Sequence, residues 1–337
     1  MAQLLKTAKM TLFLGLLIVL AGLSAVPLHA QGKKLNVITS TTILMDFTKN
    51  IAGDAVSLSS IVPTGGDVHE YEPAPQDVQG IADADLIIIN GLRLEGFVDK
   101  LIQDSGTKAK VVTASDGLGI RAFGETGGNA PTTSTDGILP GIIGFSGSYQ
   151  CSEPKLGQEI GDCDPHMWQD PTYVIVYVLN IRDALVAADP ANTAIYKANA
   201  ALYIAKLQQL DAEIWRGLAV IPAKNHVLVT NHDALGYFAA RYGFKIAGVV
   251  LPGGSTDREP APQEVAALID QIKALAIPAI FTENVSNTKL AEEIAKQAGV
   301  KVIVALYTDA LGAAGTPGET YLAMMRANLK VLVDALK

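Results

Sequence analysis

The feature that most constrains this chain is a rhythm that occurs twice: short runs rich in Val and Ile alternate with helix-like segments. In the first half, Leu35–Thr39, Leu58–Val62, Leu86–Asn90 and Lys110–Thr113 read as strands, with Ile43–Ile51 and Pro75–Ala82 as helices between them. In the second half, His226–Val229, Ile246–Val250, Ala279–Phe281 and Val302–Ala305 read as strands. Ala234–Tyr242, Pro262–Leu275, Lys289–Gln297 and Thr320–Leu336 read as helices. Continuous apolar runs of this length are typical of strands buried on both faces. Alternation of strand and helix predicts an α/β protein of two lobes with mostly parallel sheets.

Two segments break the rhythm. Residues 117–162 are rich in Gly, Ser, Thr and Pro and read as a long surface loop. Ala191–Ala219 reads as one long, rigid helix joining the lobes. Asp189 is its expected N-cap, and Pro190 its first helical residue. The expected organisation is therefore a leader over 1–30, an N-terminal lobe over 31–188, a linking helix over 189–222 and a C-terminal lobe over 223–337.

Hydrophobic residues make up 49% of the chain and charged residues 18%, enough for a packed core. The formal net charge of -8, with no basic run to offset it, argues against a nucleic-acid partner. Lys6 and Lys9 precede an apolar run from Met10 to Leu28, and Ala30 precedes a polar stretch. This reads as a secretory signal peptide, with an uncleaved N-terminal anchor as the alternative. The expected location is periplasmic or otherwise extracytoplasmic. No cysteine lies near the end of the run, so the expectation is also that the chain is not a lipoprotein. Export permits a disulfide, and Cys151 and Cys163 are expected to form one, since their spacing does not suit paired metal thiolates.

Five histidines occur, and His29 lies within the leader. His69 follows the second strand. His232 and Asp309 lie just past the carboxyl ends of strands, where open α/β sheets gather ligands. His166 cannot be placed on a strand end; Pro165 and Pro171 bracket it. His226 begins the strand that His232 follows, and a strand of that length holds the two about 20 Å apart. His226 is therefore expected to be structural or exposed. Singly, each of these histidines reads as an ordinary polar loop residue; the Gly and Pro residues around them make the group more pointed.

Four motifs carry a resemblance. Gly66–Pro73 reads G-D-V-H-E-Y-E-P, Asp164–Pro171 D-P-H-M-W-Q-D-P, His232–Tyr242 H-D-A-L-G-Y-F-A-A-R-Y, and Thr308–Gly312 T-D-A-L-G. In these motifs, their order and the tail Tyr321–Leu336, the chain resembles the zinc/manganese solute-binding proteins of ABC importers. That family includes the adhesin-type surface lipoproteins and the periplasmic zinc uptake proteins. The resemblance covers nearly all of the chain after the leader. It implies metal ligands at His69, His166, His232 and Asp309, a cleft between two lobes, and delivery of the bound ion to a membrane permease by a monomer. Two departures stand out. Residues 117–162 lack the histidines that many zinc-type members carry there, and His232 stands where many manganese-type members have a carboxylate.

Three imidazoles and a carboxylate suit Zn2+, while Mn2+ favours oxygen donors; zinc is the expected cargo and manganese the alternative. Four protein ligands hold an ion rather than leave a position open for water, so no enzyme is expected. A zinc hydrolase using Glu283 as base is the competing class, but neither H-E-x-x-H nor G-x-S-x-G occurs. A surface adhesin is the third class; the sequence marks no surface for a host partner.

Overall fold

Leu35–Thr39 (β1) and Leu86–Ile89 (β3) form the middle of a four-stranded sheet, flanked by Val56–Ser60 (β2) and Lys110–Thr113 (β4) in the order β2-β1-β3-β4. All three pairings are parallel, with Val37 opposite both Leu58 and Leu86. The second half repeats the plan. Val227–Thr230 (β5), Lys245–Val249 (β6), Ala279–Glu283 (β7) and Lys301–Leu306 (β8) make a parallel sheet in the order β6-β5-β7-β8. The α/β class and both parallel sheets are as the sequence predicts. The structure, a computed structural model, describes residues 33–123, 163–256, 258–285 and 287–337, with side chains 304 and 305 excepted. The expected leader over 1–30 and Cys151, hence the expected Cys151–Cys163 bridge, lie outside those residues, as does most of the loop expected over 117–162.

Nine α-helices surround the sheets among the described residues: α1 (Thr42–Ala52), α2 (Pro75–Ala82), α3 (Val98–Ser105), α4 (Pro171–Ala188), α5 (Thr193–Leu218), α6 (Gly236–Tyr242), α7 (Pro262–Ala274), α8 (Lys289–Ala298) and α9 (Tyr321–Leu336). Three of them, α2, α4 and α7, open with Pro, whose missing N–H has no helical acceptor to reach at that position. The long helix α5 spans 26 residues and starts later than the sequence suggests. Pro190–Asn192 forms a separate 3-10 turn, because the Asp189 carboxylate accepts from Asn192 Nδ2 and Tyr196 Oη, both at 2.6 Å. With the backbone N–H groups of Ala191 and Asn192 also bearing on Asp189, this residue organises the short turn ahead of α5.

Helix α5 grips both halves. Near its start, Asn199 Nδ2 donates to the Ile51 carbonyl (3.0 Å) and Tyr203 Oη to Asp46 (3.2 Å). Further along, Asp211 receives Arg241 through two nitrogens (3.0 and 2.7 Å) and Tyr242 Oη (2.9 Å), and Glu213 receives Arg326 (2.8 Å). Its buried face, Tyr196, Tyr203, Leu207, Leu210, Ile214 and Leu218, belongs to a core that also takes in Val37 and Leu86 of the first sheet and Leu228 and Phe281 of the second. One continuous core therefore holds both sheets, and Leu35–Lys337 forms one compact unit.

Candidate metal centre

The carboxyl ends of the strands deliver the site. His232 lies two residues past β5 and Asp309 three past β8. The parallel registers of β5/β6 and β7/β8 both slip near these ends, between Leu228 and Val229 and between Phe281 and Glu283, freeing the chain to turn toward the site. His69 comes from the loop between β2 and α2, where Asp67 Oδ1 accepts its backbone N–H at 2.9 Å. His166 comes from the turn ahead of α4. The Pro165 carbonyl there is held by Asn90 Nδ2 (3.1 Å), and the Asp170 side chain caps α4 through Thr172 N–H (2.8 Å).

The structure brings together all four side chains singled out in the sequence. One ligand atom from each of His69, His166, His232 and Asp309 lies within 4.8 Å of the other three. His166 Nε2 stands 3.3 Å from both His69 Nε2 and His232 Nε2. Asp309 Oδ2 lies 3.4 Å from His69 Nε2 and 3.1 Å from His232 Nε2. All four side chains are fully buried. His226 is not among them; it stacks on Phe244 with ring centroids 4.4 Å apart.

Two further carboxylates, neither assigned this role from sequence, orient the imidazoles. Asp164 Oδ1 accepts from the His166 backbone N–H (2.9 Å) and lies 2.8 Å from Nδ1, which turns Nε2 toward the cluster. Glu283 Oε1 accepts the His232 backbone N–H (3.0 Å), and Oε2 lies 2.7 Å from Nδ1. The Thr308 hydroxyl donates to the same Oε2 (2.8 Å), and the Thr308 carbonyl accepts from Trp168 Nε1 (2.8 Å) and Gln169 Nε2 (3.1 Å). Thr308 thus joins the turn after His166 to the carboxylate behind His232, one residue before Asp309. Asp164 stood inside a recognised motif. Thr308 also opens a recognised motif, and Glu283 enters the sequence reading only as the base of a hydrolase; neither is assigned an orienting role there.

The electrostatics favour positive charge here. Burial alone would lower the His232 imidazole, but the Glu283 and Asp309 carboxylates outweigh it and hold it well above the ordinary histidine value. Burial alone would raise Asp309, yet His232 and His166 hold it well below the ordinary carboxylate range. Deeper in the first half, Glu95 accepts from Ser40 Oγ (2.5 Å) and the Asn90 N–H (2.6 Å) and is pushed up by burial against those bonds. It supports Asn90 and, through it, the His166 turn.

Relatives bear on how such a protein is held at a membrane. The chain is 33% identical over 306 residues to the manganese-binding lipoprotein MntA of Halalkalibacterium halodurans, covering 91% of this chain and 90% of that one. It is 32% identical over 324 residues to the iron ABC transporter substrate-binding lipoprotein MtsA of Streptococcus pyogenes, covering 96% of each. These names overturn the expectation that the chain is not a lipoprotein. That expectation rested on one missing cysteine beside the apolar run, and an absence in one short stretch does not decide how a folded domain is anchored.

Among solved structures, the periplasmic zinc-binding protein TroA of Treponema pallidum superposes with a TM-score of 0.74 at 30% identity, over 90% of this chain and 99% of that one. The family described as zinc-uptake complex component A, periplasmic, matches residues 37–335. With nearly the whole described chain inside that match, the protein is a member of this family.

Proposed function

We propose that this protein captures one divalent transition-metal ion through His69, His166, His232 and Asp309 and delivers it to the membrane permease of an ABC importer. We further propose that zinc is the cargo and manganese the alternative. The convergence of four ligand atoms within 4.8 Å, all on buried side chains, carries the reading. A tetrahedral ion with bonds of about 2.05 Å separates its donors by about 3.3 Å. His166 Nε2 is 3.3 Å from the Nε2 of both His69 and His232, and Asp309 oxygens lie 3.1, 3.4 and 3.7 Å from the Nε2 of His232, His69 and His166, close to that separation. Three nitrogens and one oxygen suit zinc better than manganese. The names of relatives, which include manganese, iron and zinc, support a transition metal and leave the choice among them to the donor set.

Cargo binding is favoured over catalysis. Glu283, the one candidate base, is already engaged by the His232 N–H and the Thr308 hydroxyl. We propose lobe boundaries at 31–188 and 223–337, with 189–222 linking them, and a monomer as the working form. Competition against a chelator is the test. One ion per chain is expected. His69→Ala and Asp309→Ala should each weaken binding by more than the roughly 10–100-fold typical of an outer-shell change. Unchanged affinity in either variant would remove that residue from the site.

A further inference from the structure

We propose that Asp67 and Thr256 form a clasp across the mouth of the site and that its opening sets the rate at which the ion leaves. The inference rests on the metal-binding reading above and deepens it. Asp67 uses its two carboxylate oxygens for different partners. Oδ1 accepts the backbone N–H of His69 at 2.9 Å, fixing the loop that carries this ligand. Oδ2 accepts the Thr256 hydroxyl at 2.6 Å, and Thr256 lies 189 residues away, in the turn after β6. One side chain therefore holds a ligand loop of the first half and ties it to the second. Thr256 is 8% exposed and Asp67 is half-buried, so the bond is partly shielded from competing water.

A second contact clamps the same turn. The ring of Phe123 lies against Gly254 so closely that a Cβ there would come within 1.7 Å of it. The same ring has its centroid 6.1 Å from that of His166. The turn containing Gly254 and Thr256 is thus pinned at two points by residues of the first half, one beside His69 and one beside His166. Beyond the pinned turn lies a cavity of about 520 Å³ whose walls include Asp67, Glu70, Thr256 and Glu259. Asp67 and Thr256 are at once the clasp and part of that wall. When their bond breaks, the Gly253–Thr256 turn can swing and open the buried ligands toward this cavity, which Arg258 and Lys289 also line.

None of the four ligands is altered by breaking the clasp, so the signature is kinetic. A hydrogen bond to a charged acceptor in a partly shielded place accounts for about a tenfold change in an equilibrium or a rate. Stopped-flow release of zinc into excess chelator would compare wild type, Thr256→Val, Thr256→Ser, Gly254→Ala and His69→Ala. Thr256→Val, which keeps the shape and loses the hydroxyl, should release zinc about tenfold faster. Thr256→Ser, which restores the hydroxyl, should stay within about twofold of wild type. Gly254→Ala, which pushes the same turn off Phe123 while keeping the Thr256 hydroxyl, should accelerate release as well. If wild type binds zinc and His69→Ala does not, while Thr256→Val releases at the wild-type rate, the clasp is refuted and the metal site stands. If His69→Ala binds as wild type does, the metal-site reading itself fails.

Discussion

Glu283 and Thr308 form one buried unit behind His232: the threonine hydroxyl donates to Glu283 Oε2, and that same oxygen lies 2.7 Å from the imidazole Nδ1. A carboxylate in this position fixes ring orientation and makes the opposite nitrogen a better donor. Glu283→Gln keeps the size and removes the charge. Affinity for zinc should fall about 10–100-fold while the protein stays folded. Chelator competition, with circular dichroism as the control for folding, checks this. An unchanged affinity would mean that Glu283 merely fills space.

Gly236 offers a test of the other orienting carboxylate. A Cβ at this position would meet Asp164 Oδ2 at 2.5 Å. Asp164 is fully buried and its other oxygen is committed to His166, so it cannot yield without releasing the ring. Gly236→Ala should therefore weaken zinc binding at least as much as it lowers stability, by about 1–3 kcal/mol for an overpacked site. Thermal melts with and without zinc separate the two effects, because a weakened site shrinks the zinc-induced rise in Tm.

His232→Glu should shift preference toward manganese. With a dication bound, three neutral imidazoles and Asp309 leave a net charge of +1, which the exchange cancels with a harder oxygen donor. The structure adds a complication: the new carboxylate would face Glu283, which lies 2.7 Å from the present ring. Like charges so close disfavour each other, so affinity for both metals should drop while the zinc-to-manganese ratio falls. Pairing the exchange with Glu283→Gln should recover affinity and keep the lowered ratio. A ratio that stays the same or rises would detach selectivity from this ligand.

Asp46 gives the fold a pH dependence away from the metal. Burial raises its carboxyl to about 6, against the weaker opposing pull of bonds from the Tyr321 N–H and Tyr203 Oη. Between the unfolded value of 3.8 and about 6 the folded state holds a proton that the unfolded state has released. Its contribution is therefore fully present below that window and is lost as pH rises through about 6. Asp46→Asn should flatten this part of the stability curve and stabilise the protein at pH 7–8 by about 1–2 kcal/mol. Urea melts from pH 4 to 8 measure it; an unchanged slope would assign the pH dependence elsewhere.

Much of this was legible because strand ends are legible. His232 and Asp309 could be set at carboxyl ends from hydrophobic runs alone, and His226 could be set apart from them by the length of one strand. His166 could not, since the turn that carries it is fixed by Asn90, far away in sequence. Helix α4 is buried on most of its faces, from Tyr173 and Val174 to Ile181 and Leu185, so no polar stripe marks its period. Asp164, Glu283 and Thr308 were hidden for a related reason. Asp164 and Thr308 lie in the same motifs as His166 and Asp309, but their roles exist only between side chains that folding brings together.

The double grip of α5 has a consequence for how ions are told apart. A helix of 26 residues runs about 39 Å, and it is bonded to the first half through Asn199 and Tyr203 and to the second through Asp211 and Glu213. The two sheets consequently cannot fold toward each other to suit whatever arrives. In the proposed metal site, the gap between His69 and His232 would then act as a gauge of nearly fixed bore, straining the bonds to an ion of the wrong radius. Spacing of these jaws, set during folding long before any ion enters, would add a criterion of size to the preference that the donor atoms express.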